Sequence, residues 1–294
     1  MTDLILAIDQ GTTGSTAVLV DHHSRVLASK NVEFSNYFPA PGLVEHDADE
    51  IWDSIRSAVT AVLTGVDSSR IAAIGITNQR ETSLFWSAAT GAPASRALVW
   101  QDRRTAPRCE ALRAAALEEE YRQKTGLVLD PYFSGTKAEW MLKHVPGVAE
   151  GAASGALLYG TIDSFVAFKL TGEHVTDASN ASRTLLFDIH QLAWEPALCA
   201  RFGVPLACLP RIVDNAGVFG HTRGVGFLPD GIPVAGLAGD QQSALFGQAC
   251  CHQIDEGSIA GEDLIHSLDD CARSLLLLGG DPLLKRALGV HRLV

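Results

Sequence analysis

A few short stretches of this chain carry side chains that could do chemistry together. Asp9-Gln-Gly-Thr-Thr-Gly-Ser15 sets a carboxylate, two glycines and the hydroxyls of Thr12, Thr13 and Ser15 between two apolar runs. Backbone N–H groups freed at Gly11 and Gly14, with those hydroxyls, suit phosphate oxygens, and Asp9 suits the hydration shell of a Mg²⁺ ion. The alternative is a plain hairpin turn, where Gly and Asp are common for conformational reasons. The stretch matches neither the P-loop nor the dinucleotide G-x-G-x-x-G spacing. In Asn78-Gln-Arg-Glu-Thr82, adjacent Arg80 and Glu81 can hydrogen-bond neighbouring hydroxyls of a polyol, or simply form a surface ion pair. Trp100 offers an apolar wall for a carbon backbone or a core side chain. Tyr132, after Asp130-Pro131, adds a phenolic hydroxyl or packs. In Gly239-Asp-Gln-Gln242, Asp240 can cap a helix, or accept a proton from an attacking alcohol.

These residues need a scaffold, and the hydrophobic pattern supplies one. Leu4–Ile8 and Ala17–Val20 read as strands around the glycine turn, and Val26, Ala28, Val32 and Phe34 alternate as a third strand, so an antiparallel meander opens the chain. Ile51, Ile55, Val59 and Val62 share one helical face, with Asp47 as N-cap and Glu50 three residues on. Ile71–Thr77 is a nearly continuous apolar run, expected to be a strand buried on both faces. Arg80 and Glu81 therefore stand at the carboxyl end of a strand, where open α/β sheets bind ligands. Ser83–Trp86 and Ala97–Trp100 read as further strands around the turn Thr90–Pro93. Helices are expected over 106–119, 134–144, 162–170 and 195–202. Ile232–Ala238 is a strand that runs into Gly239-Asp240 and a helix through Phe246. Strands interleaved with helices make the fold α/β.

Composition narrows the function. The 294 residues are 47% hydrophobic and 19% charged, enough to bury one or two cores and too apolar for wholesale disorder. Twenty-three Lys and Arg against 34 Asp and Glu give a net charge of -11, which repels nucleic acid and anionic lipid. No run is long enough to insert in a membrane, so a soluble, cytoplasmic protein is expected. The six cysteines form no C-x-x-C pair and read as buried free thiols. The adjacent His22 and His23 would point to opposite faces of a strand, so no structural metal is expected.

Taken together, Asp9–Thr13, Asn78–Thr82, Val99–Thr105, Asp130–Lys137, Asn180–Thr184 and Gly239–Gln242 resemble, in order, the glycerol-phosphorylating members of the FGGY carbohydrate kinase family. The resemblance covers Leu4 to about Cys250. It implies a ribonuclease-H-like fold of the actin and hexokinase type, with a mixed sheet and flanking helices, and the reaction of ATP with glycerol to ADP and sn-glycerol 3-phosphate. It implies that Arg80, Glu81, Trp100, Tyr132, Asp240 and Gln241 contact glycerol, with Asp240 as the catalytic base. Asp9, Gly11, Thr12 and Thr13 would approach the ATP phosphates, and Asp9 the Mg²⁺ region, indirectly. The implied partners are glycerol and ATP, with a homo-oligomer left open.

Members usually have Ser-Ser-Arg where this chain has Gly14-Ser15-Thr16, which removes one hydroxyl and a cation from the phosphate loop. The resemblance gives residues 1–250 as the polyol-binding N-terminal domain and 251–294 as an atypical tail without the second FGGY domain. A non-catalytic polyol-binding fragment remains the rival reading. An actin-like or Hsp70-like ATP switch is a second rival, and has no use for Arg80, Glu81 and Tyr132 beside Asp240.

Overall fold

The computed structural model describes residues 3–247; the expected tail 251–294 and Cys250, Cys251 and Cys271 lie outside the described residues. A six-stranded sheet has the order Ala216–His221, Pro233–Gly239, Ile71–Asn78, Leu4–Gln10, Gly14–Asp21, Val26–Glu33. Ile71–Asn78 runs parallel to Leu4–Gln10 on one side and to Pro233–Gly239 on the other. The remaining neighbours are antiparallel, including the expected opening meander. Register sets the edge of this sheet: Asn78 stands opposite both Gln10 and Gly239. Three parallel strands thus end level, and the segments that follow them emerge side by side.

One face of the sheet is packed. Leu6, Ile8, Ile74, Ile76, Val234 and Leu237 meet Ile51, Ile55 and Val59 of helix Ala48–Val62 and Phe165 and Val166 of helix Ile162–Thr171. Each fully buried aliphatic side chain contributes roughly 1.5–3 kcal/mol relative to exposure, so this layer fixes the sheet edge. The opposite face is not closed to the same degree. Ala7, Gly75, Thr77, Gly236 and Ala238 are only half-buried there, which corrects the expectation that Ile71–Thr77 is buried on both faces along its length. Alanine and glycine extend an apolar run without supplying the bulk that marks a packed core.

A second sheet is antiparallel throughout, in the order Asn36–Tyr37, Glu45–His46, Ala97–Leu98, Ser83–Ser87, Leu157–Thr161. Its core joins Phe85 and Tyr159 to Met141, Leu198 and Phe202. Only Gln79–Thr82 separates the end of Ile71–Asn78 from the start of Ser83–Ser87. The Arg80-Glu81 pair therefore lies in the crossing between two sheets, where both ends are held.

Local signals explain most helix ends. Asp47 caps Ala48–Val62, its carboxylate accepting from the Asp49 and Glu50 amides at 3.0 and 3.4 Å. Glu50 does not complete a capping box; it accepts instead from Ser35 N–H at 3.0 Å and from the Tyr37 hydroxyl. Ser134–His144, Ile162–Thr171 and Pro196–Phe202 form where expected. The helix expected over 106–119 is two, Ala106–Ala114 and Glu118–Thr125. Ala116 takes φ +57, while the Ala116 and Leu117 amides bond back to Arg113 and Leu112 carbonyls at 2.9 and 3.2 Å. That is a Schellman stop with alanine where glycine is usual, so its sequence carries no stop signal.

The expected strand over 97–100 is a ladder strand only over Ala97–Leu98; the buried Val99 still donates its amide to the Val44 carbonyl at 3.1 Å, and Trp100 begins a turn, its amide donating to Thr82 Oγ1 at 3.2 Å. His22 and His23 lie in a hairpin turn with ring centroids 3.8 Å apart, not on a strand. Among the described residues no group of His, Cys, Asp and Glu is arranged to hold a metal alone, and Cys109, Cys199 and Cys208 are buried free thiols. No helix of the described residues is long and apolar enough to cross a membrane.

Candidate active site

The level ends of the three parallel strands bring Asp9, Arg80-Glu81 and Asp240 to one edge. Arg80 is 95% enclosed by its neighbours, with a relative exposure of 5%. Its guanidinium donates to Gln241 Oε1 at 2.6 Å and Gln242 Oε1 at 3.3 Å, and its Nε lies 3.6 Å from Asp240 Oδ1. Asp240 is the first residue of helix Asp240–Gly247, and its Oδ1 accepts from the Gln241 amide at 2.7 Å. It is thus not the flanking cap residue that the sequence suggested. The difference matters because Asp240 remains half-exposed at the edge, with a side-chain exposure of 47%.

Glu81 is buried to 1% and sits at φ +63, a left-handed conformation that a non-glycine residue keeps only when its surroundings fix it. Those surroundings are identifiable. Ser134 Oγ donates to the Glu81 carbonyl at 2.8 Å, and Arg183 Nε donates to Glu81 Oε1 at 2.7 Å. Burial pushes the Glu81 carboxyl above its ordinary pKa, while the charges of Arg183, Arg80 and Lys137 pull the other way.

Trp100 and Tyr132 form a wall beside this pair. Their rings meet edge to face at 5.5 Å between centroids. The Trp100 indole donates to Thr12 Oγ1 at 3.0 Å, which ties the aromatic wall to the glycine turn. Tyr132 is set by its own turn: its amide donates to Asp130 Oδ1 at 2.8 Å, and Lys137 Nζ donates to the Pro131 and Tyr132 carbonyls at 2.5 and 2.8 Å. Lys137 is fully buried, and burial lowers its pKa to about 7.

The glycine turn is only partly available. The Gly11 amide already donates to the Gly14 carbonyl at 2.9 Å, and the Gly11 carbonyl accepts from the Gln10 and Gln79 side-chain amides at 2.7 and 3.1 Å. Ser15 is buried and its hydroxyl accepts from Ser54 Oγ at 2.8 Å, so it faces the core and drops out of the phosphate-contacting set. Thr12 is half-buried, whereas Thr13 and Asp9 are exposed. Asp9 nonetheless stands at the base of the edge, where partial desolvation and then the negative charge of Asp240 raise its carboxyl pKa. Asp9 and Asp240 together make this end of the edge electronegative, and a hydrated divalent cation, where one bound, would be drawn toward Asp9.

Behind the edge runs a buried polar network that residue spacing did not reveal. Asn78 and Asn180 exchange side-chain bonds at 2.9 and 3.2 Å, and Asn180 donates to Asp177 Oδ1 at 2.6 Å. Asn215 donates to Asp177 Oδ2 at 2.8 Å, and the Gly239 amide donates to Ser179 Oγ at 2.8 Å. Gln79 joins the front, donating to Gln10 Oε1 at 3.0 Å and accepting from Thr82 Oγ1 at 2.9 Å. In the sequence the motifs Asp9–Thr13, Asn78–Thr82 and Asn180–Thr184 each contribute members to this network, while Asp177 and Asn215 lie outside every motif.

A mixed sheet of this order, helix-covered on one face and carrying its polar residues where parallel strands end together, is the ribonuclease-H-like unit of the actin and hexokinase type. The chain belongs to the FGGY family of carbohydrate kinases: the family's N-terminal domain matches residues 4–247. It is 54% identical over 250 residues to a glycerol kinase of Alkalilimnicola ehrlichii, covering 84% of this chain and 50% of that protein. With a glycerol kinase of Bacillus subtilis the identity is 49% over 254 residues, covering 85% and 51%. The chain thus spans about half the length of the curated relatives it matches. The crystal structure of Plasmodium falciparum glycerol kinase with ADP superposes with a TM-score of 0.80 at 33% identity, over 84% of this chain and 50% of that one. A ligand-bound xylulose kinase of Lactobacillus acidophilus shares the fold, with a TM-score of 0.75 at 22% identity over 83% of this chain and 49% of its own.

Proposed function

We propose that residues 1–250 form the polyol-binding half of an ATP-dependent glycerol kinase, a cytoplasmic enzyme making sn-glycerol 3-phosphate. The observation that carries this reading is the meeting of Arg80, Glu81, Tyr132, Asp240 and Gln241 at the level ends of three parallel strands. Relatives named glycerol kinase support it. Arg80 donates to, and Glu81 accepts from, adjacent hydroxyls of a three-carbon polyol, while Trp100 and Tyr132 cover its carbon side. Asp240 accepts the proton of the terminal hydroxyl as that oxygen attacks the γ-phosphorus of ATP and ADP leaves with the bridging electron pair. Mg²⁺, when bound near Asp9, offsets charge on the phosphate oxygens. Thr12 and Thr13 orient those oxygens, and the chain's task is otherwise positioning.

Isothermal titration of the chain tests the reading. Glycerol should bind more tightly than 1,2-propanediol, because a missing hydroxyl leaves Arg80 or Glu81 unpaired. Equal binding of the two, or no binding of glycerol, would overturn it.

A further inference from the structure

Arg183 stands outside the residues assigned to the polyol above, in the loop after helix Ala178–Ala181. We propose that Arg183 is a positioning residue of the polyol site, fixing Glu81 as a hydrogen-bond acceptor and holding Tyr132 beside it. The inference rests on the polyol reading for its ligand but not for its geometry.

Three contacts define the arrangement. Arg183 Nε lies 2.7 Å from Glu81 Oε1, with side-chain exposures of 17% and 1%. Its guanidinium carbon lies 5.6 Å from the Tyr132 ring centroid and 4.9 Å from that of Phe133. Arg183 therefore touches both polyol-facing residues that come from different sides of the site. The other cations near Glu81 are committed elsewhere: Arg80 reaches Gln241 and Asp240, and Lys137 reaches the Pro131 and Tyr132 carbonyls.

A buried carboxyl without a close cation takes up a proton instead of bearing charge. Protonated Glu81 would carry a donor beside the donors of Arg80, which is the wrong polarity for a hydroxyl that must donate. The groups facing Glu81 are Arg80 on its own segment, Arg183, Lys137 of helix Ser134–His144 and the Tyr132 phenol. Arg183 also restrains the left-handed backbone of Glu81, since the ion pair fixes where the side chain must leave the chain. A lysine at this position would keep the charge but lose the planar fork and its packing on the rings.

The test uses the purified chain with ¹³C-labelled glutamate, as Arg183→Gln and Arg183→Lys. The Glu81 carboxyl should titrate at higher pH in Arg183→Gln, and by a smaller step in Arg183→Lys. Glycerol dissociation constants from calorimetry should rise about tenfold in Arg183→Gln at pH 7 and move back toward wild type at pH 9, the direction that favours ionised Glu81. An upward shift in whichever variant folds supports the inference. An unmoved Glu81 titration overturns it, as does a loss of glycerol affinity equal at both pH values. Wild-type chain that ignored glycerol would sink the polyol reading alone, because the Glu81 titration still decides the role of Arg183.

Discussion

Gly239 lies directly beneath Arg80: a Cβ on Gly239 would meet Arg80 Cδ at 2.5 Å and Cγ at 2.8 Å. The two residues follow neighbouring parallel strands, and Gly239 pairs with Asn78, two residues before the arginine. Glycine here permits close approach and not a special dihedral, since its φ is not among the positive ones. Arg80 can therefore lie flat across the strand end and reach Gln241 and Asp240.

Gly239→Ala should displace the Arg80 side chain while leaving the strand intact. Glycerol affinity should fall about tenfold, close to 1.4 kcal/mol, with a melting temperature within a few degrees of wild type. Calorimetric titration beside a thermal melt checks both. Unchanged affinity would mean that Arg80 is free to move without cost to the site.

Asp240→Asn separates binding from proton transfer. The amide keeps an oxygen that can accept from the Gln241 amide, as Asp240 does at 2.7 Å, so glycerol should still bind within a few-fold. In a full-length kinase carrying this change, ATP-dependent turnover, followed by coupled ADP release, should fall by about 10²–10⁴. A variant that turned over like wild type would leave Asp240 as the start of a helix and nothing more.

Much of this site was legible because its residues sit where patterns change. The apolar runs Leu4–Ile8, Ile71–Thr77 and Ile232–Ala238 mark parallel strands, and the polar residues just after each are those that meet at the edge. What was hidden has physical reasons. The second sheet is built from strands as short as two residues, Asn36–Tyr37, Glu45–His46 and Ala97–Leu98, too brief to show alternation. Ser15 looks like its threonine neighbours in sequence, yet strand alternation turns it to Ser54 in the core. Arg183 gives no local sign of its reach to Glu81, because 102 residues separate them.

Asp163 supplies a pH dependence that is independent of any ligand. It is buried, accepts from Thr161 and, at 2.6 Å, from Thr176 Oγ1, and lies near the Asp177 carboxylate. Burial first, and the Asp177 charge second, raise its pKa above the ordinary aspartate value. A carboxyl raised in the folded state stabilises the fold fully at low pH, and that stability is lost as pH rises through the folded value. Relative to Asp163→Asn, the wild type should therefore lose melting temperature as pH rises from the ordinary aspartate value toward the folded value of about 7. Melts recorded across this range test it, and parallel slopes for the two proteins would rule Asp163 out as the source.

Ser179 is the hinge on which strand end and polar network meet. Its hydroxyl donates to Asp177 Oδ2 and accepts from the Gly239 amide at 2.8 Å, while its own amide donates to the same Asp177 oxygen at 2.7 Å. Ser179→Ala removes the one side chain that receives the Gly239 amide and strips a donor from a buried carboxylate. Leaving a buried group unsatisfied costs about 1–3 kcal/mol, which for a domain of this size lowers the melting temperature by roughly 2–4 °C per kcal/mol. The functional effect should be uneven. Glu81 is anchored through Ser134 and Arg183, neither of which depends on Ser179 Oγ, whereas Arg80 is held by Gln241 and Gln242, which follow Gly239. Asp240 follows Gly239 directly and loses its fixed starting point. Glycerol affinity should thus fall only a few-fold, through Arg80, while turnover of a full-length kinase carrying the change drops by about tenfold to a hundredfold, since small misplacement of a reacting group is costly. Calorimetry and the coupled assay on the same preparation separate the two. If affinity and turnover fell together, the network would be supporting the whole edge and not Asp240 in particular.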